Sequence, residues 1–583
     1  VMGTATTVRV DAPLVTGTLT TAVEVTADAT VLQTESSTVQ GAVSQNIIAN
    51  IPNINNNPLY YATLQAGVVP APQMYESTRL GVGFADRQRM SAIRMNGGQL
   101  GSNEVLLDGV SVQGAAWHEA TVLPDREALQ EVRVITNSFA ADLGNGQGVI
   151  SMVTKSGTNQ FHGSASYRLR NEALNANGLY NNSRGIRRPM YRVNEGGGTI
   201  GGPVIIPKLF NGKDKLFFFA SFMRLTHSDP VTALYTVPTG LERKGDFSQT
   251  KVRDNYGNPV PVQIYDPFTA KPYQGSGTTF ERLPYVNSIV TAPDKYGLKM
   301  LQSYPMPNRT PDDPYNTNNY QFNGTAPVVR NNLATRLDYR LGERNSIYLT
   351  GGLSNGSNLQ PNRWGKDNLF NIGGTDTTDD NPYAAGGDTI TLTPTTVVDI
   401  RYGISRTHCN SGFPTGTGFN YSEWGMPPAV QAYAAMPGVA PSIRNFGGPI
   451  NHLNADTWNR KKERQFNHAL NGSATKTVAR WTLKAGGEFR TYLGNWQDIM
   501  YATPLLQGST TSGWLAGLTG GTSGLVTNPA QRGLGFVSAL TGDIGYSLPS
   551  GTSLRPALAS KYLALFTQNN WKATDKLTLN LGL

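Results

Sequence analysis

The chain has 583 residues, a formal net charge of +9, one cysteine and six histidines. The lone Cys409 excludes an intrachain disulfide and a thiolate metal cluster, and no histidines fall at H-x-x-H or H-E-x-x-H spacing, so neither a metal site nor a cofactor is expected. The charge forms no basic block; it fits a solvated surface, or attraction to anionic substrates or lipid head groups, and no nucleic-acid partner is expected.

With 64 glycines and 25 tyrosines, the composition favours strands and turns over helices. No run of 18 apolar residues exists, so no transmembrane helix is expected. A barrel remains open, because its signal per segment is weak. No basic n-region leads into an apolar h-region, so Val1 is not expected to start a precursor. Residues 1–20 look like the last strand or two of a unit whose beginning lies elsewhere, and 21–40 read as an extended, β-prone linker. Residues 46–70 predict one or two short helical turns broken by Pro52 and Pro58. A glycine-rich loop over 81–103 carries Arg87, Arg89 and Arg94.

From Glu104 to Gly163 three short apolar runs, Val105–Leu107, Val132–Ile135 and Val149–Val153, are divided by Gly, Asn and Asp turn signals. Pro124 to Val132 predicts a short helix with Pro124 in its first turn. This stretch reads as a compact α/β unit.

Beyond Phe161 the pattern changes to period-two alternation. Gly163, Ala165, Tyr167 and Leu169 oppose His162, Ser164, Ser166, Arg168 and Arg170. Leu333, Leu337, Tyr339 and Leu341 oppose Arg336, Asp338 and Arg340; Val398, Ile400, Tyr402 and Ile404 oppose Asp399, Arg401 and Ser405. Trp481, Leu483, Ala485 and Phe489 oppose Thr482, Lys484, Glu488 and Arg490, and Leu577–Leu583 closes the chain in the same manner. A soluble sandwich has this period too. Segments of about ten residues suit a tilted bilayer-crossing strand. Very short turns (Gly342–Asn345, Val478–Arg480, Ala573–Asp575) alternate with long Pro-, Gly- and Asn-rich connections near 171–191, 228–327, 357–385, 409–464 and 493–556. The second of these holds 13 of the 35 prolines, so it is read as an irregular excursion. That asymmetry is the one an outer-membrane barrel shows. Tyr339, Tyr348, Tyr402, Trp481, Tyr492 and Trp571 can form interfacial girdles or pack ordinarily.

Leu107-Asp108-Gly109-Val110, Leu129-Gln130-Glu131-Val132 and Gly148-Val149-Ile150-Ser151-Met152-Val153-Thr154-Lys155 resemble the plug of TonB-dependent outer-membrane receptors, and Ile93–Gly97 sits where that family has its I-R-G segment. Thr154–Gly163, Gly201-Gly202-Pro203 and Gly212–Phe219 resemble the Oar-like subgroup. Leu143-Gly144 departs from the family's Tyr-Gly, and Gln147–Ser151 from its Gly-Gly-Val-Ile-Asn. The resemblance implies a mainly β fold, with a small α/β plug inside a large antiparallel transmembrane barrel. Ten or eleven strands can be counted after Phe161, about half of the family's 22, so the chain is expected to be part of a longer protein. The implied organisation is 1–20 as the tail of a carboxypeptidase-regulatory-like sandwich, 21–40 as TonB-box-like segment and linker, 41–157 as plug, and 158–583 as barrel with long loops at 228–327, 409–464 and 493–556.

Within the linker, Thr21, Ala22, Val23, Glu24, Val25, Thr26 and Ala27 resemble a TonB box, an extended segment suited to adding as a strand to a partner's sheet edge; it also reads as the closing strand of a sandwich. The implied function is import in a Gram-negative outer membrane, with loops outside and the plug and N-terminus facing the periplasm. Partners would be TonB with ExbB/ExbD, outer-membrane lipid and lipopolysaccharide, and an extracellular peptide, carbohydrate or metal chelate. Plug-loop residues Arg87, Arg89, Arg94, Asn96, Trp117 and His118 are candidate substrate contacts, or buttresses between plug and wall. Mixed-sign rows, His162/Arg168/Arg170, Arg336/Asp338/Arg340, Asp399/Arg401 and Lys484/Glu488/Arg490, suit holding a releasable plug. An enzyme is not expected. Gly144–Gly148 lacks the Lys-Ser/Thr end of a phosphate loop, and no serine is framed as G-x-S-x-G. The alternative is a surface structural or adhesive protein that uses the long loops for assembly.

Overall fold

The computed structural model describes residues 38–51, 57–70, 93–99, 101–114, 120–143, 146–183, 188, 190–370, 376–412, 418–428, 432, 438, 440–444, 450–451, 453, 460–499, 505–508, 513–517, 526–542, 544–547, 556–574 and 576–583. The segments 1–20 and 21–27, and the candidates Arg87, Arg89, Trp117 and His118, lie outside these residues.

The first unit holds seven strands: β1 (Val39–Ser44), β2 (Val68–Pro70), β3 (Ile93–Met95), β4 (Glu104–Leu107), β5 (Val110–Ser111), β6 (Leu129–Asn137) and β7 (Val149–Thr154). Five of them form one sheet in the order β1-β6-β7-β4-β5, with β4 parallel to β7, while β2 and β3 pair separately. The three apolar runs become β4, β6 and β7: Val105, Leu107, Val132, Val134, Ile150 and Met152 share one face of the sheet and are buried with Ile48, Leu59 and Tyr61, while Leu106, Ile135 and Val149 are buried on the other. Helix α1 (Gln45–Asn50) stops two residues before Pro52, and Pro58 opens a 3-10 helix capped by the Asn57 side chain at Leu59 N, 3.0 Å.

The helix expected from Pro124 to Val132 is a single 3-10 turn, Arg126–Ala128, capped by Asp125. From Leu129 the chain is β6, paired to β1 on one side and β7 on the other. The β-branched run Val132-Arg133-Val134-Ile135-Thr136 fits that half-buried pleat better than a helix.

The second unit is an 11-stranded antiparallel sheet whose strands neighbour one another in chain order. They are β8 (His162–Arg170), β9 (Arg192–Pro203), β10 (Leu216–Tyr235), β11 (Tyr320–Leu341), β12 (Asn345–Asn358), β13 (Asp376–Thr393), β14 (Thr396–Gly412), β15 (Arg460–Val478), β16 (Trp481–Ile499), β17 (Ala557–Lys572) and β18 (Thr578–Gly582). Outward positions such as Leu333, Leu337, Leu349, Ile400, Leu470, Phe489 and Leu563 are exposed, while their neighbours in sequence face the lumen. Strands of 22 and 20 residues, β11 and β10, are twice the about 10 needed to cross a bilayer, so the sheet continues beyond the membrane. The outward face records the transition, turning from Leu470 and Phe466 to Arg464 and Lys462 on β15. The irregular excursion expected over 228–327 is therefore shorter, bounded by Tyr235 and Tyr320.

Of the six aromatics proposed for girdles, Trp481 and Trp571 stack with centroids 4.8 Å apart and planes at 5° beside the 479–480 turn. Tyr348 and Tyr492 instead point into the lumen, where each hydroxyl has a polar partner.

The long connections build a third unit around one aromatic core. Val237, Phe247, Ile264 and Tyr304 from the connection after β10 pack with Trp364 and Phe370, with Phe419, Tyr421 and Trp424, and with Phe536 and Leu540. Trp364 lies 5.0, 5.6 and 5.8 Å, centroid to centroid, from the rings of Tyr235, Tyr304 and Tyr320, and its indole N–H donates to Leu453 O at 2.7 Å. Four loops thus share a core that no single one of them can supply, and they form a folded cap.

Candidate functional site

The first unit meets the barrel wall through the β4–β5 hairpin, the edge of its sheet farthest from β1. Asp108 and Gly109 form the two-residue turn with φ of 50° and 81°, the positive values a type I′ turn requires and an Asp-Gly pair supplies. The turn leaves Val110 against Ala385 and Ala469 of the wall. Gly403 makes that approach possible, since a Cβ there would lie 2.5 Å from Val110 Cγ1.

Two ion pairs fasten the hairpin, one buried and one half-buried at its arginine. Arg490 on β16 donates through Nη1 to Glu104 Oε1 and Oε2 at 3.1 and 3.0 Å and to Ser111 Oγ at 3.0 Å, while Nε and Nη2 bond Glu488. The Arg490 and Glu104 side chains are 4% and 5% exposed. Burial pushes the Glu104 carboxyl above its ordinary range, against the opposing pull of Arg490 and Ser111. Its charge is therefore held by these two partners. On the other flank Arg336 of β11 donates to Asp108 Oδ1 at 3.0 Å and pairs with Asp338. Asp108 also accepts from Thr154 N at 2.9 Å and from its hydroxyl, binding β7 to the same node.

Neutral bonds complete the contact. Tyr348 OH donates to Asp108 O at 2.7 Å, Asn471 Nδ2 to Gly109 O at 3.0 Å, and Asn467 Nδ2 to Gln113 O at 3.0 Å. Thr121 bonds Ser405 at 3.1 Å, and Lys484 pairs with Asp142. The anchors are side-chain contacts, and among the described residues the unit shares no sheet with the wall.

Of the rows expected to hold a plug, Arg336, Lys484, Arg490 and Arg168 reach it, the last through Glu127 at 3.5 Å. Arg401 lies against Gly109 while paired with Asp399. Among the described residues, His162 bonds the Thr158–Gln160 turn, Arg170 covers the Tyr191 ring and Arg340 lies near the Phe217 ring. Of the substrate candidates, Arg94 is exposed on β3, and Asn96 donates to Thr136 O at 2.6 Å within the plug. Sequence reasoning quoted Asp108 within the Leu107–Val110 motif but gave neither it nor Glu104 nor Gly403 a role in the contact with the wall. For Asp108 a signal was present, because Asp-Gly between apolar pairs marks a tight hairpin.

Known proteins agree with this architecture. The family described as outer membrane beta barrel domain matches residues 153–583. The TonB-dependent transporter Oar of Myxococcus xanthus is 29% identical over 167 residues, 27% of this chain and 15% of that protein. The outer membrane transporter YddB from Escherichia coli superposes with a TM-score of 0.51 at 10% identity, over 93% of this chain and 55% of that one. The siderophore receptor PirA from Acinetobacter baumannii gives a TM-score of 0.44 at 13% identity, over 93% of this chain and 55% of that one. The chain thus spans about half the length of these solved structures, and less of Oar.

Proposed function

The chain belongs to the outer membrane beta barrel domain family, and we propose that it supplies the plug and part of the barrel wall of an Oar-like, TonB-dependent importer in the outer membrane. The observation that carries the reading is the pair of arginine anchors, half-buried Arg336 and buried Arg490, that hold the first unit against the lumen face of the barrel sheet. A barrel built only for architecture has no need of a detachable filling, and a passive pore would be obstructed by one.

In this mechanism the substrate enters from the cap side. TonB, energised through ExbB and ExbD, adds a strand to the segment Thr21–Ala27 and pulls. The pull arrives at β1, the sheet edge opposite the anchored hairpin, so force crosses β6 and β7 before reaching Asp108 and Glu104. Breaking an anchor leaves charges that the wet lumen can solvate, which makes release reversible.

The test is binding of the TonB periplasmic domain to the whole natural protein and to a form lacking 21–27, with uptake followed with and without a protonophore. Loss of binding in the deletion and gradient-dependent uptake are expected. Gradient-independent uptake, or undiminished TonB binding, would sink the proposal. The cap supports a second reading, a surface adhesive head, because its loops form one aromatic core. Cells that aggregate through the cap, and show no gradient-driven uptake, would favour it.

A further inference from the structure

Between the plug anchors and the cap, five consecutive strands bring neutral polar side chains to one level of the lumen. Register pairs Asn332 with Ser354, Ser354 with Asn381, and Thr407 with Gln465. The pairing of Asp380 with His408 and of Tyr383 with Ser405 sets Asn381 level with Thr407. All five are buried, and Asn381, Thr407 and Gln465 are 0% exposed. Asn467, also buried, sits one lumen-facing step below Gln465, next to the plug at Gln113.

Four atoms of this cluster, Asn332 Oδ1, Asn381 Oδ1, Thr407 Oγ1 and Asn467 Oδ1, have no hydrogen-bond partner among the described residues. Turning the amides over does not cure two of them. Asn381 Nδ2 already donates to Ser354 O at 3.1 Å and Asp379 Oδ2 at 2.6 Å, and Asn467 Nδ2 to Gln113 O, so a flip would set oxygen against oxygen. Folded proteins leave few buried acceptors without a protein or water donor. Here they cluster on neighbouring strands on the way through the barrel.

We infer that this row is a binding shelf for an uncharged carbohydrate chain, an assignment that rests on the importer reading and gives its substrate class. The row itself contains no charge, and the carboxylates bonded to it, Asp379 at Asn381 and Glu463 at Gln465, would repel an anionic ligand that had lost its hydration there. One level toward the cap, Arg330, Asp379 and Glu463 are mixed in sign and offer no uniform field to a charged solute. Asn381 and Thr407, on adjacent strands about 4.8 Å apart, set their free acceptors at roughly the scale of one sugar ring, and Asn332 continues the level two strands away. An extended peptide presents N–H groups to one side only every second residue, about 6.8 Å apart, and falls out of step. Sugar hydroxyls both give and take hydrogen bonds, so they satisfy the amide oxygens and Thr407 alike.

The experiment is glycan-array binding by the whole natural protein in detergent, beside its T407V variant, with thermal melting of both. Retention of neutral glycans is expected, about tenfold weaker in T407V, the scale of one lost hydrogen bond, with melting unchanged or raised. Should T407V fail to fold, Asn332→Ala gives the same reading. Retention of anionic glycans or peptides alone, no retention, or equal binding by the variant would overturn the shelf. Array binding needs neither TonB nor a proton gradient. Glycan binding without gradient-driven uptake would therefore refute the importer and not the shelf, whereas gradient-driven uptake of a charged solute would do the opposite.

Discussion

Arg490 of the barrel and Glu104 of the plug meet at 3.0 Å with both side chains almost wholly removed from solvent. An ion pair in such a place is a coupling device more than a source of stability, since desolvation cancels much of the attraction. Removing one partner is costly because the other stays buried and charged. Arg490→Met is expected to weaken plug docking by about 3–5 kcal/mol, and adding Glu104→Gln to restore much of the loss. Hydrogen exchange of the β4–β5 hairpin in the single and double variants reads both values. Equal exchange in all forms would show that this pair does not hold the plug.

Gly403 allows the plug to touch the wall, and Gly472, on the neighbouring strand, has no atom within 3.5 Å of a hypothetical Cβ. Gly403→Ala is expected to press on Val110 and cost about 1–3 kcal/mol, whereas Gly472→Ala is expected to be near neutral. Protease nicking of the plug in membranes compares the two, and similar nicking would contradict the close-approach argument.

The cap core meets the barrel sheet at the cap-side ends of β10 and β11, at Tyr235 and Tyr320, while the rest of it comes from the loops, so the cap should fail before the barrel does. Trp364→Ala removes the ring on which Tyr235, Tyr304 and Tyr320 converge, and a loss of about 3–5 kcal/mol is expected in the cap alone. Limited proteolysis should then cut within 236–319, while the barrel keeps its heat-modifiable migration on gels. Loss of the barrel as well would mean that the two units fold as one.

Alkali offers a second probe of the cap. Burial raises the Tyr285 hydroxyl from 10.0 to about 12, helped by Asp266, and burial also raises Tyr304 and Tyr421. A hydroxyl whose folded pKa exceeds its unfolded one contributes stability in full below pH 10 and loses it as pH climbs through the folded value. The cap is therefore expected to hold at pH 9 and open as pH passes about 12, with tyrosinate absorbance and proteolytic sensitivity rising together. Opening of the cap below pH 10 would contradict it.

Much of the fold was legible before any tertiary information. Alternation through Leu333–Leu341 and Val398–Ile404 marked strands with a lipid face and a lumen face, because side chains on a strand must point to opposite sides. Short turns at Gly342–Asn345, Val478–Arg480 and Ala573–Asp575 marked one rim, and the apolar runs at Val105, Val132 and Val149 marked a compact α/β unit. Those signals are local, so the sequence by itself determined them. The cap and the anchors are not local. Asp108 lies 228 positions from Arg336 and Glu104 lies 386 from Arg490, and nothing near either carboxylate specifies which cation it meets. Trp364 draws its ring partners from the end of β10, the connection after it and the start of β11, and no local pattern around Trp364 names them. Pro124–Val132 reads as a helix until β1 and β7 close on either side of it. Tertiary structure decided these points because burial sets both the energy of a charge and the preference of a β-branched run, and burial is known only once distant segments have come together.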